Sequence, residues 1–272
     1  MDTATPRSFP CPASDLLDAA AIEEIGARFD RLRVFAECYT DAQQFRISIG
    51  NRVGGAARRH IAVPPDSIDP ILDVAARSEA EWKKALRNAY RVEVPEPIRR
   101  WQAESRGIGE HGLARLLGTL GHPVLAFPHY RDNGELVGGD PYLRNVGKLW
   151  AYAGFGDPTL RRRRGMAADD ALALGNQRLK TLVWLLAVAA MKQGDTTVPG
   201  HTTSETHRRS AGGDTPVPDT RLGYRGIYDQ GRARYATRDW TAGHQHAAAL
   251  RLVAKAILKD LWIAGVEHLT TC

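Results

Sequence analysis

Arg106-Gly107-Ile108-Gly109-Glu110, followed by Ala114 and Leu116-Leu117, is a glycine-flanked bend leading straight into an apolar helix. Two glycines within three residues let the chain reverse tightly, because a residue without a Cβ enters positive φ at little steric cost. A bend of this kind between helices is how a helix-hairpin-helix element holds a nucleic-acid backbone. Amides of the bend and of the following helix start form an anion-binding concavity. Such a grip positions the protein without reading a base. The same triplet also serves as a plain turn between two packed helices. Both readings place helices on either side of Ile108.

Working towards the N-terminus, Ile22, Ile25, Phe29, Leu32, Ala36 and Tyr39 recur at alternating spacings of three and four, a coiled-coil seam. Ser14 and Asp15 are the expected caps of this helix, which should run to about Asn51. Gly54-Gly55 and Pro64-Pro65 are expected to break it. Asp69-Pro70 then reads as the start of a second helix, with Leu72, Ala75, Trp82, Leu86 and Ala89 on one side. Two long helices joined by a short loop predict an antiparallel hairpin over residues 14–95, serving either dimerisation or its own packing. Residues 1–13, with Pro6, Pro10 and Pro12, read as a disordered tail. Pro95 and Pro97 end the hairpin and mark the boundary to a second domain, residues 98–265.

Beyond the bend, a Gly- and Pro-rich passage runs from Gly121 to Pro141. Val146 to Ala153 predicts a short helix carrying Lys148, Leu149 and Trp150, and a turn with Arg161, Arg162, Arg163 and Arg164 follows. Leu172 to Lys192 is apolar on nearly every side, which predicts the central helix of a bundle. Residues 193–222 read as a long mobile loop. The last helix, His244 to Ala264, buries Leu250, Val253, Ala254, Ile257, Leu258, Leu261 and Trp262 and carries Arg251, Lys255 and Lys259 as a cationic stripe. No strand pattern emerges, so the expected fold class is all-α.

The chain has 272 residues, 43% of them apolar, which suits a globular protein with a proper core. Its formal charge of +6 favours polyanionic partners. Cys11, Cys38 and Cys272 lack metal-ligand spacing and fit a reducing compartment. No secretory signal or membrane span is read, so the expected location is the cytoplasm, in association with the nucleoid. His244 and His246, two apart, point to different sides of a helix and are expected to cap or hydrogen-bond. No metal site or cofactor is expected.

Several pieces, in this order, resemble the C-terminal domain of the guide-RNA-directed insertion-sequence transposases that use a DEDD nuclease fold and a catalytic serine. Arg106 to Gly121 follows the pattern R-G-I-G-x-x-x-x-A-x-x-L-G-x-x-G. Lys148-Leu149-Trp150 with Gly154 is similar to the family's K-L-W helix, and Gly175, Arg178 and Lys180 to its G-x-x-R-x-K-like segment. Tyr224 and Tyr228 match its paired tyrosines; His244, His246, Leu258, Asp260, Leu261 and Trp262 match its closing motif. The likeness spans residues 100–265, and the hairpin resembles the family's coiled coil. It implies DNA recombination by a dimer paired through the coiled coil.

Two features depart from that family. Residues 1–68 offer no strands to gather carboxylates round magnesium. No serine occurs between Ser105 and Ser204, and Thr159 is the only hydroxyl near the turn where the family's nucleophile stands. The expected function is therefore a transposase-like DNA-binding protein without its own nuclease activity. Structured RNA and a separate catalytic transposase are further candidate partners. Gly107, Ile108 and Gly109 would seat the backbone. Arg106, Arg115, Lys148, Arg161 to Arg164, Arg178 and Lys180 would neutralise phosphates, with Arg251, Lys255 and Lys259 as a further track. Two alternatives stand beside this. One is an active recombinase using Ser204, Ser210 or a tyrosine; the other is a helical interaction protein with no nucleic-acid role.

Overall fold

The structure, a computed structural model, describes residues 11–61, 64–132, 135–157, 159–160, 163–167, 171, 173–193 and 223–271. Its helices are α1 (Ala19–Arg58), α2 (Pro65–Glu93), α3 (Glu96–Glu104), α4 (Glu110–Leu120), α5 (Val146–Tyr152), α6 (Gln177–Lys192), α7 (Gly223–Ala236) and α8 (Ala242–Thr271). The fold is mainly helical, as its periodicities predict.

α1 starts four residues later than Ser14 and Asp15 suggest. Asp18 is the residue whose carboxylate reaches the Ala21 amide, at 2.7 Å, and it caps the helix. The expected break at Gly54-Gly55 does not occur, and α1 continues through both to Arg58. A helical glycine costs roughly 1 kcal/mol against alanine, which weakens a helix without stopping it. The chain leaves α1 at Arg59-His60, where His60 has φ of 58°. α2 likewise begins earlier than expected. Pro65 takes the first helical position, and Pro70 lies inside the helix on its exposed side.

α1 and α2 pack as the predicted antiparallel pair, joined by Arg31–Glu93 at 2.9 Å and by the Arg46–Glu79 pair. The seam residues Ile25, Phe29, Leu32, Ala36 and Tyr39 are all buried, but they face more than α2. α4 also packs on α1, so closely that a Cβ on Gly118 would lie 2.5 Å from the Ala36 Cβ. One apolar core therefore runs from α1 through α4 to α8, and Pro95–Pro97 marks a helix break within it.

The passage from Gly121 to Pro141 carries strands that no alternation announced. β2 (Leu125–Ala126) and β1 (Cys11–Pro12) flank β5 (Tyr142–Leu143), both antiparallel, with Leu143 opposite Cys11 and Leu125. β3 (His129–Asp132) and β4 (Glu135–Gly138) form a separate hairpin. Two-residue strands are too short to show a period of two, so sequence pattern could not reveal them. Cys11 to Ala13, expected in a disordered tail, instead belong to this sheet and the turn after it, and Ala13 is fully buried.

The central helix is α8, not α6. α8 packs against α3, α5, α6 and α7, and its buried residues run from Ala249 to His268. α6 leaves Leu185 54% exposed, so its apolar composition does not translate into complete burial.

A buried polar cluster ties these layers together. His122 Nδ1 accepts hydrogen bonds from the Val124 and Leu125 amides at 3.2 and 2.9 Å. Its proton therefore sits on Nε2, 3.3 Å from His268 Nδ1. Arg144, 5% exposed, donates to the His122 carbonyl at 2.7 Å, and the Trp262 indole donates to the Arg144 carbonyl at 2.8 Å. Burial, aided by His268 and Arg144, holds the His122 imidazole well below its ordinary pKa and keeps it neutral.

Candidate nucleic-acid interface

α3 and α4 form the helical hairpin that the glycine triplet predicts, with Ser105 ending α3 and Gly109 as the N-cap of α4. Inside the bend, Gln102 Nε2 donates to the Ile108 carbonyl at 2.7 Å, and Ile108 is buried. The two glycines face opposite ways. Gly107, at φ of 83°, lies against the end of α6, where a Cβ would stand 2.6 Å from Ala190 Cα. A Cβ on Gly109 would meet nothing within 4 Å. The expectation that both glycines lie open to a phosphate is thus corrected. Gly107 is a packing and turn glycine, and only the Gly109 side faces outward.

The first amides of α4 have no intrahelical partner, and no side chain caps them. The nearest charge is the helix's own Glu110. Its carboxylate accepts from Arg91 Nη2 at 2.8 Å, Arg91 Nε at 3.2 Å and Arg87 Nε at 3.4 Å. Hydrogen bonding and charge from Arg91, with Arg87 behind it, hold this carboxyl below its usual range. The open end of α4 therefore combines outward amides, one carboxylate and two guanidinium groups.

Arg87 and Arg91 belong to a stripe with Lys83, spaced four apart on the exposed side of α2. Sequence reasoning missed them, although their spacing was the same signal that picked out Arg251, Lys255 and Lys259. Beside the stripe stand His111 and Arg115 of α4. Burial, then the charges of Arg115, Lys83 and Arg87, push the His111 pKa down to about 4, so it stays neutral. Its ring meets Tyr39 edge-on at 4.6 Å.

Several expected phosphate contacts have internal tasks instead. Arg115 lies over the Tyr39 ring at 5.1 Å, with its Nε buried and unsatisfied, so it braces α4 on α1. Arg178 donates to Thr40 Oγ1 at 2.8 Å while keeping an exposed surface. Lys180 lays its stem against Gly154. Arg251 donates to the carbonyls of Phe155 and Gly156 at 2.8 and 3.0 Å. Lys255 stands 4.3 Å over the Trp150 ring, whose indole N–H donates to the Lys255 carbonyl at 2.9 Å. Burial lowers the pKa of both Arg251 and Lys255. With Lys259 half-buried beside them, the stripe on α8 is an interior seam, contrary to expectation.

Arg106, Lys148, Arg163 and Arg164 are exposed. Lys148 lies on α5, 5.9 Å from the Tyr142 ring centre. Arg161 and Arg162 lie outside the described residues, as do Ser204 and Ser210. Thr159 Oγ1 and its amide both bond Asp157 at 2.7 Å in a local turn.

The tyrosines are engaged as well. Tyr228 shares a 2.7 Å hydrogen bond with His246 Nδ1, and His244 stacks on Trp240 at 4.1 Å. Tyr224 donates to Asp260 Oδ2 at 2.9 Å, and burial followed by that carboxylate raises its phenol well above the ordinary pKa. A phenol held neutral in this way is a poor nucleophile. Among the described residues, no three or more His, Cys, Asp or Glu converge to hold a metal, and no helix is long and apolar enough to cross a membrane.

Comparison with protein-family models, curated proteins and solved structures finds no match for this chain.

Proposed function

We propose that the chain is a transposase-like nucleic-acid-binding protein. It grips backbone phosphates at the open end of α4 and along the cationic stripe of α2. DNA is the principal partner and structured RNA the second candidate. The reading is carried by one juxtaposition: the uncapped α4 amides beside Gly109 adjoin Arg87 and Arg91, with Lys83 one helical step further along. A phosphate approaching Gly109 would compete with Glu110 for both guanidinium groups while accepting from the amides.

On the same reading the chain pairs with a second copy through the outer half of the α1–α2 hairpin. Phe45, Ile71 and Val74 there are about half exposed, at 53%, 47% and 55%. It would associate with the nucleoid and serve a separate catalytic transposase.

A second reading is a helical interaction protein with no nucleic-acid role. It is favoured by the packing of Gly107 on α6 and by the carboxylate of Glu110 at the helix start.

Gly109→Asp separates the two. Aspartate is a good N-cap in an open position, so the fold should hold, while its charge repels phosphate. Anisotropy titrations of labelled duplex DNA over a salt series should give log K falling by roughly 0.9 per phosphate contact. Binding should be lost in Gly109→Asp. Salt-independent binding, or an unaffected variant, selects the second reading.

A further inference from the structure

A second site lies on the other side of α3. Pro97, Arg100 and Trp101 of α3 and Asp260, Ile263, Ala264 and Glu267 of α8 enclose a cleft of about 200 Å³. Drug-sized pockets span about 300–1,000 Å³, so this one suits a single small heteroaromatic group. Its wall is apolar apart from three features. Arg100 and Glu267 pair with each other, and Arg100 also holds Glu96 at 3.1 Å. The guanidinium charge is thus committed to carboxylates, which leaves no cation for a phosphate.

The other two features are buried. Asp260 is 8% exposed, and only its Oδ2 is engaged by the Tyr224 hydroxyl, at 2.9 Å. Trp101 is 2% exposed, and its indole N–H is turned towards the Tyr224 oxygen without forming a hydrogen bond of normal geometry. Buried donors are rarely left unmade, because each costs about 1–3 kcal/mol. A carboxyl group beside an unsatisfied N–H offers both donors and an acceptor to a flat ligand.

We propose that this cleft binds the aminopyrimidine edge of an unpaired nucleobase, adenine or cytosine, with Asp260 meeting its adjacent ring nitrogen and exocyclic amine and Trp101 flanking it. A protonated carboxyl donates to the ring nitrogen and accepts from the amine. Uracil and thymine present the opposite pattern, a ring N–H beside carbonyls, and are disfavoured. The base comes either from a free nucleoside or from an unpaired stretch of a strand. The site does not depend on the phosphate grip at Gly109.

Burial raises the Asp260 carboxyl to about 7, while the Tyr224 hydrogen bond and the Lys259 charge partly oppose the rise. Tyr224 faces it from α7, Lys259 and Glu267 lie on α8, and Arg100, Trp101 and Ser105 come from α3. Since the protonated form binds, affinity falls as pH rises through about 7.

The test is calorimetric titration of the full chain with adenosine, cytidine and uridine in buffers of differing ionisation enthalpy. Adenosine or cytidine should bind at least about tenfold more tightly than uridine, as expected when a buried polar group is mispaired. Proton uptake should accompany binding above neutrality. Asp260→Asn, whose amide can also donate and accept, should keep binding and lose the proton uptake. Asp260→Leu and Trp101→Phe should weaken binding, with circular dichroism melts confirming a folded chain.

Uridine binding equal to adenosine and cytidine, binding unchanged in Asp260→Leu, or no saturation at millimolar nucleoside would each overturn the proposal. Oligo-dA against oligo-dT identifies the source, since strand bases should compete with nucleoside for the cleft if they are the natural ligand. Gly109→Asp should leave nucleoside binding intact, so failure of the phosphate grip and failure of this site are read separately.

Discussion

Gly107 and Ala190 touch backbone to backbone: a Cβ on residue 107 would stand 2.6 Å from the Ala190 Cα. The bend between α3 and α4 is thus held against the end of α6, which fixes the direction in which α4 presents its first amides. Conformation and contact both demand glycine here, since φ is 83° and the space is already filled.

Gly107→Ala should therefore destabilise the fold by about 2–4 kcal/mol, from the left-handed backbone and the overlap together. Gly109→Ala, at φ of −82° in open space, should change stability by less than about 1 kcal/mol. Urea unfolding of both variants checks the contrast, and equal losses would contradict the two-faced bend.

Arg251→Ala should behave as a core substitution. It removes two hydrogen bonds to the Phe155 and Gly156 carbonyls and should cost about 1–3 kcal/mol. The salt slope of DNA binding should stay unchanged. A shallower slope in a variant of normal stability would return Arg251 to the phosphate track.

Asp260 gives a pH signature in stability. Its folded pKa of about 7 lies above the ordinary 3.8, so its contribution is present below 3.8 and lost as pH rises through 7. Asp260→Asn should gain stability relative to the parent chain as pH increases from about 5 to about 8. Melting temperatures of the two proteins at matched pH decide it, and parallel curves would count against a buried protonated carboxyl.

The histidines act with the opposite sign. His122 and His268 have folded pKa values below the ordinary 6.5, and His111 is near 4. Their contribution is present above 6.5 and lost as pH falls below it, each by up to about 1.4 kcal/mol per pH unit. Protonating His122 would also cancel its bonds to the Val124 and Leu125 amides. Replacing His122 with asparagine should flatten the acid limb measured by denaturant unfolding, and an unaltered limb would place the acid sensitivity elsewhere.

The amino-acid order by itself determined the helical class, the α1–α2 pairing, the position of the bend at Gly107–Gly109 and most of the buried face of α8. These depend on periodicity and on glycine chemistry within a few residues, which the chain carries locally. Only the tertiary structure decided which of two equivalent-looking glycines stays open and which cationic stripe meets solvent. Lys83, Arg87 and Arg91 share the four-residue spacing of Arg251, Lys255 and Lys259, yet the first set is exposed and the second is covered by α5 and the turn after it. Likewise, Trp101 and Asp260 are far apart in the chain, and their common cleft exists because α3 packs across α8. Burial and pairing are properties of distant segments brought together, so the charge state of Asp260 and the availability of each arginine follow from packing rather than from local pattern.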